Sequence, residues 1–144
     1  MNATTPHPAS LSADQPSVWV TLQAHDAVAL IDFYAEKFGF HVTVNMTEGD
    51  VVHHAELRWP DGAGGVMLGS YDPEKPWVRE PGTAGVYVVT GEIDALYERV
   101  TSRGAEVFRP LTDTDYGSRE FAVRDPEGNL WSFGTYLGEP RENA

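Results

Sequence analysis

A pattern that recurs after 65 to 66 positions constrains this chain more than any other feature. Val18, Val20, Leu22 and Ala24 alternate with Trp19, Thr21 and Gln23, the period-2 signature of a strand with one buried face. Asp26 follows as a helix cap, and Leu30, Ile31, Tyr34 and Phe38 fall on one helical face before Gly39. Phe40 to Asn45, Val51 to Trp59 and Gly65 to Ser70 then read as three strands, separated by turns at Glu48-Gly49-Asp50 and at 60–64. From Gly85 the order begins again. Val86 and Val88 alternate with Gly85, Tyr87 and Val89, and Ile93, Leu96, Tyr97 and Val100 mark a helix that Gly104 closes. Glu106 to Arg109, Glu120 to Arg124 and Leu130 to Tyr136 supply three more strands, with 110–115 as a loop. Trp19 and Gly85 lie 66 positions apart, and Gly39 and Gly104 lie 65 apart.

The pattern predicts an α+β fold made of two βαβββ modules, at 17–70 and 84–136. Pro73, Pro76 and Pro81 break regular structure between them and mark a linker at 71–83. Residues 1–16 and 137–144 are expected to be tails. Each module offers its helix to one face of its sheet and leaves the other face open.

The last hairpin narrows the family. Asp125-Pro126-Glu127-Gly128-Asn129 is a five-residue turn in which Pro126 presets φ and Gly128 is free to take φ > 0. The run Arg119-Glu120-Phe121-Ala122-x-Arg124-Asp125-Pro126-x-Gly128-Asn129, followed by Trp131-x-Phe133, resembles the final hairpin of the vicinal-oxygen-chelate superfamily. That superfamily includes glyoxalase I, the extradiol dioxygenases and the bleomycin-resistance proteins, and the run is most similar to the bleomycin-resistance branch. The resemblance covers roughly residues 18–136. It implies a curved mixed sheet enclosing a cleft, with modules paired within one chain or by exchange in a homodimer.

Charge and composition limit the partners. With 22 acidic against 10 basic residues the net charge is −12, which repels nucleic acid and anionic membranes and attracts cations. The absence of cysteine excludes thiolate ligands, Cys nucleophiles and disulfides, and suits a cytoplasmic protein. No apolar run reaches membrane-spanning length and no signal peptide is evident.

Metal-dependent members of the superfamily carry His or Glu at one cleft position in each of the first, fourth, fifth and eighth strands. Carried onto this sequence, the resemblance puts those positions at Trp19, Met67, Gly85 and Ser132. None is an imidazole or a carboxylate, so neither a metal nor another cofactor is expected. His53 and His54 are adjacent on a strand and point to opposite faces, so they cannot chelate one ion together. His54 and Glu56 share a face and are the weak catalytic candidates, as a general acid/base pair. An ordinary polar pair is the alternative.

The cleft is instead expected to be aromatic. Trp19, Thr21, Gln23, His54, Glu56, Met67, Tyr87, Glu120 and Ser132 are the candidate ligand-binding residues. Trp19 and Tyr87, from corresponding strands, are expected to approach each other as a stacking clamp, with Trp59 and Trp77 at the opening. Glu56 and Glu120 would add negative charge for a cationic guest. The expected function is sequestration of a small planar, cationic aromatic compound. The alternatives are a lyase, isomerase or dioxygenase-type enzyme of the same fold, or a general metabolite-binding or interaction protein.

Overall fold

A computed structural model describes residues 15–141. The greater part of both expected tails, 1–14 and 142–144, lies outside the described residues. The first module runs β1 (Val20–Ala24), α1 (Ala27–Phe33), β2 (His41–Glu48), β3 (Val51–Arg58) and β4 (Gly65–Ser70). The second runs β5 (Gly85–Val89), α2 (Ile93–Ser102), β6 (Glu106–Asp113), β7 (Arg119–Arg124) and β8 (Leu130–Gly134). Each forms a four-stranded mixed sheet, ordered β1-β4-β3-β2 and β5-β8-β7-β6, with its first and last strands parallel. The repeat read from the sequence is thus a repeat of topology.

Alternation sorts the side chains. Leu22, Ala55, Leu57, Val66 and Leu68 are buried on the helix side of the first sheet, and Phe121, Val123, Trp131 and Phe133 on that of the second. Burying each large side chain contributes about 1.5–3 kcal/mol. Val18, expected on the buried face, lies exposed ahead of β1.

Asp26 caps α1 as expected, accepting from the Ala29 amide at 3.1 Å. The helix then widens, contrary to a plain α-helical reading. Residues Tyr34–Phe38 form a π-helical turn closed by Gly39 at φ 86°. That turn sends Tyr34 and Phe38 across the module boundary, where Tyr34 packs on Trp131 and Phe38 on Trp131 and Phe133. One core therefore serves both modules. The loop expected at 110–115 is also shorter than predicted, because β6 runs through Pro110 to Asp113. Edge position and two register shifts against β7 make the missing amide tolerable.

Each module also clasps the other through its last turn. Asp61, in the β3–β4 turn, accepts from Thr90 Oγ1 at 2.6 Å and from the Gly91 amide at 3.0 Å. Glu127, 66 positions later in the β7–β8 turn, accepts from the His25 and Asp26 amides, both at 2.9 Å. Each carboxylate holds the strand–helix junction of the opposite module. The helices repeat this exchange: Arg99 donates to the Glu36 carbonyl, and Lys37 to the Arg103 carbonyl.

Asp125 explains the Asp-Pro-x-Gly-Asn turn. One carboxylate oxygen accepts the Glu127, Gly128 and Asn129 amides at 2.9–3.0 Å. The other accepts the Tyr34 hydroxyl at 2.6 Å, the Asn129 side-chain amide at 2.9 Å and the Trp131 indole at 3.1 Å. Burial and the adjacent Asp125 push the Tyr34 hydroxyl far above its ordinary pKa, so it stays a donor.

Candidate functional site

The open faces of the two sheets carry the sequence-predicted residues. On the first sheet Thr21 pairs with Met67 and Met67 with Glu56, which sets these side chains on one face. Gln23 and His54 lie on the same face by alternation, as predicted for β3 and β4. Gly65 and Gly69 flank Met67, keeping the face low around it.

The linker roofs this face. Tyr71 donates its amide to the Ala24 carbonyl, and the Arg79 amide bonds Gln23 Oε1 at 2.9 Å, pinning 71–79 over β1. A groove of about 300 Å³ results, lined by Thr21, Gln23, His54, Met67, Asp72, Lys75 and Trp77 among others. Trp77 is 68% exposed, its ring capped by Lys75 at 5.9 Å. The sequence placed Trp77 near the opening without making it a candidate, because linker conformation has no periodicity.

Two expectations about the aromatic residues need correction. Trp19 does not line this groove. Its ring rests on Gly65, where a Cβ would meet Trp19 Cζ3 at 2.6 Å, so the missing side chain is its bed. No ring contact joins Trp19 to Tyr87 among the described residues, and no clamp forms between them. Trp59 does not line the groove under Trp77; its indole donates to the Val89 carbonyl at 3.1 Å at the module junction, where its ring borders a separate depression together with Gly65 and Tyr87.

His54 Nε2 lies 2.8 Å from Glu56 Oε2, so the predicted pair is formed, half-buried, on the open face. His53 was expected on the opposite face, but it is the extra residue of a register shift between β2 and β3; it lines the same groove as His54 and pairs with Glu48 at 2.8 Å.

On the second sheet Tyr87, Ser132, Ala122 and Arg109 form one row, and Val89, Gly134 and Glu120 the next. Glu120 is only 5% exposed despite facing outward. Tyr87 Oη donates to it at 2.7 Å and Tyr116 Oη at 2.6 Å, while Arg109 Nη2 lies at 3.4 Å. Burial opposes ionisation of Glu120, yet bonds from Tyr116, Tyr87 and Ser118 and the Arg109 charge hold its carboxyl below the ordinary value. Its charge is therefore committed inside the protein and is not a bare wall charge. Tyr116 and Arg109 were not singled out by the sequence: Arg109 closes the predicted strand and Tyr116 lies in the turn after β6, and neither position carries a local signal of its contact with Glu120.

The donor set does not suit a metal. Trp19, Met67, Gly85 and Ser132 offer neither imidazole nor carboxylate, and among the described residues no three His, Asp or Glu side chains converge on a common point. Among the described residues no helix is long and apolar enough to cross a membrane.

Comparison with known proteins agrees with this architecture. TioX from Micromonospora sp. ML1 superposes with a TM-score of 0.68 at 28% identity, covering 86% of this chain and 98% of that one. TnmS3, an antibiotic binding protein from Streptomyces sp. CB03234, shares the fold at a TM-score of 0.65 and 22% identity, covering 88% of this chain and 97% of its own. CFP32 of Mycobacterium tuberculosis (strain CDC 1551 / Oshkosh) is 28% identical over 127 residues, which is 83% of this chain and 46% of that protein. The chain thus spans about half the length of that curated relative. The family profile described as Glyoxalase/Bleomycin resistance protein/Dioxygenase superfamily matches residues 17–133. With every strand and helix of both βαβββ modules reached by that match, the chain belongs to this superfamily.

Proposed function

We propose that this protein captures a small planar aromatic compound, with cations favoured, in the groove over the first sheet. The observation that carries the reading is the convergence of Thr21, Gln23, His54 and Met67 beneath Trp77. The groove is at the lower end of the size range of small-molecule sites and combines a polar floor with one exposed indole. Stacking on Trp77 contributes about 0.5–1.5 kcal/mol, and the net charge of −12 adds a salt-sensitive preference for cations. That TnmS3 is an antibiotic binding protein of the same fold supports a capture role over a catalytic one. Titration with proflavine, followed by tryptophan quenching, tests it. Saturable quenching that is lost in Trp77→Ala is the expected result.

A second reading is favoured by the His54–Glu56 pair: His54 lines the groove and its imidazole is held by the Glu56 carboxylate, the arrangement a general base needs. Turnover of a groove-bound compound that His54→Gln abolishes without loss of binding would move the protein into the enzyme class.

The working unit in this proposal is a homodimer. Val42 and Met46 on the edge strand β2, Val51 at the start of β3, and Phe108 on the edge strand β6 are exposed apolar side chains that a second copy would cover. Sedimentation equilibrium showing only monomer at high micromolar concentration rejects this part.

A further inference from the structure

Two tyrosines stand over the buried carboxylate on the open face of the second sheet, and a third packs beside them. Tyr87 and Tyr116 both donate to Glu120. Tyr136 meets the Tyr116 ring edge-on, with centroids 5.8 Å apart at 77°, and donates its own hydroxyl to Glu139 at 3.0 Å. All three rings are exposed. Gly134 lies directly under Tyr87, since a Cβ there would stand 2.1 Å from the Tyr87 hydroxyl and 2.7 Å from Glu120 Cγ.

This arrangement has a chemical consequence. Each hydroxyl proton is directed at a carboxylate, so no tyrosine here has a donor left to offer a guest. Donation to an anion also enriches the ring in electron density, and the hydroxyls stay protonated: Glu120 and burial raise the Tyr116 pKa, and burial and Glu120 raise that of Tyr87. The face therefore offers exposed aromatic rings and oxygen lone pairs beside two carboxylates. An anion finds no hydroxyl donor, whereas a cation finds ring faces and acceptors together.

We infer that Tyr87, Tyr116 and Tyr136 form an aromatic cage for an organic ammonium ion, with Glu120 as its buried counter-charge. The chemical class is a methylated or alkylated ammonium, whose diffuse charge suits ring faces better than a compact, strongly hydrated ion does. The charged groups at the cage are Glu120, Glu139 and Arg109. Arg109 is the resident cation: its guanidinium is half exposed and sits 3.4 Å from Glu120, at the long end for an ion pair. A bound ammonium therefore competes with Arg109 for the same carboxylate. This cage is on the opposite module from the groove beneath Trp77 and does not depend on it.

The test is a titration of the full chain with choline and with its neutral isostere 3,3-dimethylbutan-1-ol, read by the tyrosine ring resonances in NMR. Wild type is expected to prefer choline by roughly ten-fold. Glu120→Gln should erase the preference, and Gly134→Ala should weaken choline by lifting Tyr87 off its bed. Arg109→Ala is the discriminating variant, because removal of the competing cation should tighten choline several-fold. Trp77→Ala, which strips the groove, should leave choline binding unchanged. Should Glu120→Gln fail to fold, Arg109→Ala and the isostere pair still decide. Equal binding of choline and the isostere, weaker choline binding in Arg109→Ala, or loss of choline binding in Trp77→Ala each overturns the cage.

Discussion

The two modules share one plan, yet their open faces have diverged in opposite directions. The first face is a groove: Met67 between two glycines, a His54–Glu56 pair, and a linker that carries Trp77 over the top. The second has no such roof among these contacts and instead holds a carboxylate beneath tyrosines. Their helix-side faces did not diverge in this way, because both must meet in one core and each turn must hold the other module's strand–helix junction. Packing keeps the scaffold symmetric, and the open faces are where chemistry is free to change.

The largest expected effect comes from breaking the symmetry of the two last turns. Asp125 is buried with six donors, whereas Asp61 is exposed with two. Asp125→Ala should cost about 3–5 kcal/mol, because it strands buried donors from both modules. Asp61→Ala should cost only about 1–2 kcal/mol. Urea unfolding measures both, and equal costs would show that the second turn is no more central than the first. Next in size, Trp77→Ala should remove the saturable quenching, because the stacked indole is itself the reporter and contributes about 0.5–1.5 kcal/mol of binding, while shifting stability by less than about 0.5 kcal/mol. Loss of fold in that variant would make Trp77 a structural residue. A smaller change is expected for Glu127→Gln, about 1 kcal/mol, matching Asp61→Asn if the clasp is reciprocal.

The smallest effect is a pH dependence. Glu120 is held below its ordinary value of 4.5 in the folded state, so its stabilising contribution is complete above that pH. As pH falls through the lowered folded value the contribution is lost. Relative to Glu120→Gln, wild type should lose stability only on the acidic side of pH 4.5. A difference that instead opens between pH 6 and 8 would contradict the assigned direction.

Much of this fold was legible because its signals are periodic. Alternation in Thr21 and Gln23 against Leu22 and Ala24, and Gly39 and Gly104 at matching offsets, carry strand faces and module boundaries directly. The Asp125 turn was legible as a turn, but not as the place where Tyr34 and Trp131 meet, since those bonds cross the chain. The site was read less completely. Parity placed Thr21, Gln23, His54 and Met67 on one open face, while Trp77 reaches that face through a proline-rich linker whose path no local pattern dictates. Tyr116 and Arg109 were hidden because they meet only at Glu120, one from a turn and one from an edge strand, and no local pattern aligns them. The end of β6 was misplaced for another reason: Pro110 argues against a strand, and only the edge position of β6 lets the strand continue past it.

Whether the groove over the first sheet holds a planar aromatic guest is read out by proflavine quenching in wild type, Trp77→Ala and Trp19→Ala. Saturable quenching in wild type that survives in Trp19→Ala and disappears in Trp77→Ala is the predicted result. Quenching that persists in Trp77→Ala, or that never saturates in wild type, contradicts it.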